Sequence, residues 1–491
     1  MQITLSGVTY AYPASPEPVL NGVTVTFSQG WTGLLGDNGC GKTTLAKIAC
    51  GIIEPDAGAV SRVPYAAFCA QEADAEPDAL FDFAADFGRE AREIRRVLRI
   101  EDDMPWRFHG LSCGEQKKLQ IAVALWQRPD ALVLDEPTNH IDREARAQLA
   151  HALSRYRGIG ILVSHDRELL DALADRCASF EAGRIAIRPG GFSSAHAQAS
   201  IERTTAARER KAAKENLARL AAEKDARTHE AARAKARMSK RNINPKDHDA
   251  KGKIDLARFT GQDGARGKLS TQMDARLAAA RERVEAAFVA KRYDGDLWLD
   301  ARPSERKTIL RIEPSAIPCG EGALSVPQLF VGNADHIGIV GPNGAGKTTL
   351  VRHLLALIAD DVPALVIPQE PDERAQAAAM ERVASLSDAE KGRVLSIVAQ
   401  LNSNPDRILD GGRTSPGEMR KLMLATGMLD EPQIIVMDEP TNHLDLHSVE
   451  ALEQALTAYP GALLLVSHDR PFLNACTSRT WAVGDGKVQE R

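Results

Sequence analysis

The sequence contains no run approaching the roughly 18 to 20 consecutive apolar residues of a membrane-spanning helix, so no helical bilayer segment is expected. Its seven cysteines, Cys40, Cys50, Cys69, Cys113, Cys177, Cys319 and Cys476, are odd in number and include no Cys-x-x-Cys pair. That argues against a disulfide framework, a zinc site or an iron–sulfur cluster. A basic-then-apolar leader is also missing: Met1 to Tyr10 alternates as a strand does, and the expectation is a cytoplasmic protein. Aromatic residues are only 5% of the chain, and neither sign of charge dominates, with 62 Lys+Arg against 67 Asp+Glu for a net charge of −5. Taken whole, the composition is that of an ordinary globular protein, and 491 residues require at least two domains.

The balance is local rather than uniform. Residues 200–293 carry 24 Lys+Arg against 13 Asp+Glu, a net +11, which leaves −16 on the remainder. A basic middle lies between acidic ends.

Self-comparison exposes a duplication. Gly-Asp-Asn-Gly-Cys-Gly-Lys-Thr-Thr at 36–44 recurs as Gly-Pro-Asn-Gly-Ala-Gly-Lys-Thr-Thr at 341–349, an offset of 305 residues. Asp-Glu-Pro-Thr-Asn-His recurs at 135–140 and 438–443, and Ser-His-Asp-Arg at 164–167 and 467–470, both offset by 303. Within each copy the Asp-to-His spacing is 30 (Asp135 to His165, Asp438 to His468). Each copy alternates short apolar runs with amphipathic stretches, which predicts an α/β fold with a doubly wound parallel sheet. The runs deliver polar residues at the strand ends where such sheets bind ligands.

Gly-x4-Gly-Lys-Thr between a strand and a helix is a phosphate-binding P-loop. Its glycines, Gly36, Gly39 and Gly41 with Asn38 between them, let backbone N–H groups converge on an anion at a helix N-terminus. Lys42 would reach the β- and γ-phosphates of ATP, with Thr44 adjoining, and the Thr43 hydroxyl would bind Mg2+. Gly341, Asn343, Gly344, Gly346, Lys347, Thr348 and Thr349 repeat the arrangement. Asp135 and Asp438 end apolar strands where a carboxylate can hold the Mg2+ shell. Glu136 and Glu439 follow as candidate catalytic carboxylates for the attacking water. His165 and His468 are placed to hydrogen-bond a γ-phosphate, while Gln71 and Gln369 could contact Mg2+ and water.

Leu-Ser-Cys-Gly-Glu-Gln at 111–116 and its counterpart Thr-Ser-Pro-Gly-Glu-Met at 414–419 resemble the signature of ATP-binding cassette ATPases. In that family the signature of one cassette covers the γ-phosphate held by the other. Head-to-tail pairing would therefore place Ser415 and Gly417 over Lys42, and Ser112 and Gly114 over Lys347. Tyr12 matches the aromatic that stacks on adenine. Residues 311–327 offer no such ring, and Pro416 removes an N–H and fixes φ, so the second copy is expected to be tuned differently.

Residues 196–237 are Ala-, Arg-, Lys- and Glu-rich without proline or glycine and predict a long helix. A second helix is expected near 269–292, with Leu269, Met273, Leu277, Val284 and Phe288 at helical spacing, forming a hairpin with the first. The intervening tip, broken by Pro245 and four glycines, carries Arg237, Lys240, Arg241, Lys246, Lys251, Lys253 and Arg258, a candidate RNA contact.

Tandem cassettes, the Asp-Glu-Pro-Thr-Asn-His motif after both strands, Gly-Gly-Phe-Ser at 190–193 and the basic helical linker together resemble the ABC-F family. The resemblance implies an ATPase without a transmembrane partner that binds ATP, Mg2+ and the ribosomal exit site. Its linker would point at ribosomal RNA and peptidyl-site tRNA, to modulate translation or to protect ribosomes from antibiotics. It implies two cassettes, 1–195 and 301–491, around a linker, 196–300, in a monomer that closes on itself. Only 41 residues separate Gln71 from Ser112, against 46 between Gln369 and Ser415, so the arm insertion of some members is not expected. With 23 residues after His468, a C-terminal coiled coil is not expected either. Two other readings are the energising subunit of a separate membrane transporter, which assigns no task to 200–293, and a DNA-repair cassette, for which zinc-type cysteines are missing.

Overall fold

The computed structural model describes residues 1–13, 17–139, 141–181, 183–237, 262–286, 301–320, 322–369, 371–403 and 415–491. It divides into two compact units, Met1–Ala195 with Arg292–Arg491, and His196–Lys291.

In the first unit, alternating apolar runs become two central sheets. The six-stranded sheet runs in the order Ala66–Cys69, Ala131–Asp135, Ile159–Val163, Gly30–Leu35, Arg176–Glu181, Arg184–Pro189. All neighbours are parallel except the last pair. The inner strands of this cassette are mostly apolar because both sheet faces are covered, one by the antiparallel sheet of Gln2–Tyr10 and Leu20–Ser28 with the helix Lys42–Cys50, the other by helices: every residue of Ala131–Asp135 and Ile159–Val163 is buried. A separate antiparallel sheet joins Leu20–Ser28, Gln2–Tyr10 and Ala57–Ser61. The second copy repeats the plan as Ala364–Ile367, Ile434–Asp438, Ala462–Val466, His336–Val340, Arg479–Gly484 and Lys487–Glu490, extended by Gly322–Val326 and Ser315–Cys319.

Register fixes the chemistry at one edge. Asp135 pairs with Val163, and Asp438 with Val466, so both Asp-Glu pairs and both Ser-His pairs emerge side by side at C-terminal strand ends. Each P-loop leaves the adjacent strand and enters a helix, Lys42–Cys50 or Lys347–Leu355. The helix caps, Gly41 at φ 100° and Gly346 at φ 97°, are in the left-handed region that a side chain disfavours.

The second unit contains Phe192–Arg237 over most of its length, and Gln262–Ala286. The first helix begins four residues before the expected start. The second begins seven residues early and runs through Gly264 and Gly267, which composition had assigned to the tip. Each glycine costs a helix about 1 kcal/mol relative to alanine, and the Gln, Arg, Lys and Ala around them favour it. Met273, Leu277 and Ala280 are buried at helical spacing, and Lys224 Nζ lies 2.7 Å from Asp274 Oδ1, tying the two helices together. Lys240, Arg241, Lys246, Lys251, Lys253, Arg258 and Phe288 lie outside the described residues, as does the side chain of Arg237.

Candidate nucleotide sites

Both P-loops are shaped around their lysine. Lys42 is 8% exposed and donates to the carbonyls of Gly36 at 2.8 Å and Asp37 at 3.0 Å. Lys347 does the same to Gly341 and Pro342 at the same distances. The ammonium is thus held over the loop on which phosphate would rest.

Thr43 Oγ1 donates to Asp135 Oδ2 at 2.8 Å, and Thr348 Oγ1 to Asp438 Oδ2 at 3.4 Å. Burial raises the pKa of both aspartates. A hydroxyl and a buried carboxylate side by side form a hard-oxygen donor set that suits Mg2+. Thr43 with Asp135, and Thr348 with Asp438, are the residues that would hold it.

The next residue has an unusual backbone. Glu136 and Glu439 adopt φ of 44° and 48°, positive values that cost a non-glycine residue free energy. The turn sets each carboxylate at the end of the neighbouring strand, where Oε2 accepts from the backbone N–H of His165 or His468 at 3.3 Å while the glutamate's own N–H donates to Val163 O or Val466 O at 2.8 Å. Burial pushes the Glu136 carboxyl up to about 8, against the opposing field of Lys42, and Glu439 up to about 7. Each Oε1 is buried without a hydrogen-bond partner. The histidines are lowered instead, His165 by burial and then Lys42, His468 to about 4 by burial and then Lys347. Both imidazoles are therefore neutral.

The cassettes meet at the first P-loop. A cavity of about 930 Å3 is lined by Asn38, Gly39, Gly41, Lys42, Thr43, Thr44, Gln71, Asp135, Glu136 and His165 from one copy and by Ser415 and Gly417 from the other. Tyr12 stands at its rim, 39% exposed, with its hydroxyl 3.0 Å from Thr44 Oγ1. Asn38 Nδ2 donates to His443 O at 3.0 Å across the junction.

The second cavity, about 370 Å3, gathers Asn343, Gly344, Gly346, Lys347, Thr348, Thr349, Gln369, Asp438, Glu439 and His468. From the first cassette it receives Ile141 and Arg146, whereas Ser112 and Gly114 are not on its wall. Ser112 caps the helix Cys113–Trp126 in a capping box with Glu115, and Cys113 faces a different cavity with Gln71 and Pro416.

Pro416 is the first residue of the helix Pro416–Gly427, capped by Ser415. At that position the lost N–H has no intrahelical acceptor and the ring presets φ. The helix start is accordingly intact, with the proline withdrawing one donor from it.

Three features escaped sequence reading. Cys319 lies where Tyr12 would be expected, its Sγ 3.8 Å from Thr349 Oγ1. Lys117 and Arg420, each five residues after the signature serine, are buried and reach from the signature helix to the Asp-Glu turn. Lys117 Nζ donates to Asp135 O at 3.4 Å, and Arg420 Nη1 to Glu439 O at 3.0 Å. A cation at the same offset from each signature serine was the available signal. The positive φ of the glutamates has no sequence signal.

Comparison with known proteins agrees with this architecture. The ABC transporter family model matches residues 20–139 and 327–442. The chain is 29% identical to the ribosome protection protein VmlR of Bacillus subtilis (strain 168), covering 100% of this chain and 88% of that one. It is 30% identical to the tylosin resistance ATP-binding protein TlrC of Streptomyces fradiae, covering 99% and 98%. A solved RNase-L inhibitor superposes with a TM-score of 0.63 at 19% identity, over 98% of this chain and 90% of that one, a likeness of fold. None of the described helices is long and apolar enough to cross a membrane. With two cassettes of this build and a relative of 30% identity matched along nearly its whole length, the chain belongs to the ABC-F family of tandem ATP-binding cassette proteins.

Proposed function

We propose that this protein is an ATPase that binds the ribosome while its cassettes are closed on ATP and leaves after hydrolysis. The observation that carries the reading is the cavity of about 930 Å3 in which Lys42 and Glu136 of one cassette face Ser415 and Gly417 of the other. A nucleotide there would touch both copies, so its γ-phosphate would control their separation.

In the reaction, ionised Glu136 or Glu439 accepts a proton from water as the water oxygen bonds to the γ-phosphorus. The bond from that phosphorus to the β,γ-bridging oxygen breaks, leaving ADP and phosphate. Lys42 or Lys347 holds the phosphates, and neutral His165 or His468 donates from Nε2 to a γ-oxygen. When bound, Mg2+ neutralises phosphate charge beside Thr43 and Asp135, or Thr348 and Asp438. Tyr12 stacks on adenine in the first site.

The ribosome enters through the relatives and through charge. VmlR is named for ribosome protection and TlrC for tylosin resistance. Residues 200–293 carry the net +11 that suits phosphate-rich RNA. The reading therefore assigns the cassettes to the exit site in the cytoplasm, and the linker to ribosomal RNA and peptidyl-site tRNA, where it modulates translation or counters an antibiotic. Deleting residues 238–267 tests it: ATP binding should survive while ribosome binding falls. Unaltered ribosome affinity in the deletion variant would refute the linker's role.

A further inference from the structure

The two nucleotide cavities are not equivalent, and the difference centres on one side chain. Arg146 lies in the helix Arg143–Leu153, just beyond the first Asp-Glu motif. Its side chain is 21% exposed and fixed at two points, with Nε donating to Ile141 O at 3.0 Å and Nη1 3.4 Å from Asp166 Oδ2. It lines both cavities: the first beside Glu136 and His165 of its own cassette, the second beside Lys347, Glu439 and His468 of the other.

At the second cavity the first cassette brings no signature serine; Ile141 and Arg146 are its described contributions. The same offset that relates Asp135 to Asp438 relates Arg146 to Val449, and Val449 lines the first cavity. The position reaching across the junction is thus a cation at one site and an aliphatic group at the other. Arg146 acts electrostatically on the second site's groups. Burial is the main cause lowering His468, with Lys347 and then Arg146 adding to it.

We infer that Arg146 is a trans-acting arginine of the second nucleotide site, lent by the first cassette to the γ-phosphate held on Lys347, and that the two sites consequently turn over unequally. A guanidinium presents several N–H donors in a plane and keeps its charge at any working pH. Placed on a γ-phosphate, it offsets charge that develops as the terminal phosphoryl group departs. It does so where no signature hydroxyl lines the cavity. The inference rests on the ATPase reading above.

The test compares Arg146→Val, the residue of the sister position, with Arg146→Lys in full-length protein carrying either Glu136→Gln or Glu439→Gln. With Glu136→Gln, where turnover falls to the second site, Arg146→Val should lower kcat about 10- to 100-fold with a smaller change in KM. Arg146→Lys, keeping the charge, should recover part of the loss. With Glu439→Gln, the same Val substitution should cost several-fold less. Equal losses in the two backgrounds, or an undiminished kcat with Glu136→Gln, would overturn the role of Arg146 while leaving the ATPase reading intact. Absence of ATP hydrolysis by the unaltered chain would overturn both. Circular dichroism and melting of each variant separate loss of fold from loss of rate, and Arg146→Lys serves if the Val variant unfolds.

Discussion

His165 approaches Glu136 at two points, its backbone N–H donating to Oε2 at 3.3 Å and its Nε2 standing 3.3 Å from Oε1, and His468 repeats this on Glu439 at 3.3 and 3.5 Å. Because burial pushes the glutamates up to about 8 and about 7, both are largely protonated in mildly acidic solution. A protonated carboxyl cannot accept a proton from water. ATPase kcat is therefore expected to rise between pH 6 and pH 9 and then level. A rate independent of pH over that interval, measured at saturating ATP, would contradict the assignment.

The same shifts make a stability prediction. With a raised folded-state pKa, the native protein holds more protons than the unfolded chain between roughly pH 4.5 and the folded value, so stability falls as pH rises through this window. Glutamine keeps the shape and removes the charge. Glu136→Gln should raise the melting temperature by a few degrees, more at pH 9 than at pH 5. Calorimetry at the two pH values tests this; a difference that is constant or shrinks with pH would count against burial as the cause.

Across the cassette junction, His447 Nδ1 lies 2.5 Å from Asp37 Oδ1. The sister positions are Glu144 and Pro342, which cannot form that pair. Asp37→Asn and His447→Ala should each weaken ATP binding at the first site. Since both side chains are partly exposed, their coupling in a double-mutant cycle should be at most about 1 kcal/mol. Strict additivity of the two losses would show that the pair does not hold the junction.

Tyr12 and Cys319 occupy matching places beside Thr44 and Thr349. Loss of the ring in Tyr12→Ala should weaken nucleotide binding at the first site by roughly 1–2 kcal/mol, in line with base–aromatic stacking, whereas Tyr12→Phe should retain most of the affinity. Titration with a fluorescent ATP analogue would expose two classes of site whose order changes in the Ala variant. Equal affinity of the Ala and Phe variants would remove the stacking role.

Much of this was legible in the chain because local chemistry dictates it. The runs Ala131 to Leu134 and Ile434 to Met437 can only be buried strands, and Gly41 and Gly346 mark left-handed caps beside their lysines. What spacing could not carry was the relation between copies. Matched signatures imply matched sites, yet Ser415 lines a nucleotide cavity and Ser112 does not. That depends on how two similar surfaces settle against each other, through contacts such as Asn38 with His443 and Arg167 with Glu453, 3.1 Å apart. Helix ends were blurred for a different reason: Gly264 and Gly267 are weak breakers among strong helix formers.

Co-sedimentation of the Glu136→Gln, Glu439→Gln double variant with ribosomes, with and without ATP at modest salt, tests ATP-gated ribosome binding most directly. Both carboxylates proposed to activate water are removed while the P-loops and the linker remain, so ATP should close the cassettes and hydrolysis should not reopen them. The variant is expected in the ribosomal pellet with ATP and in the supernatant without it. Recovery in the supernatant under both conditions would contradict ATP-gated ribosome binding.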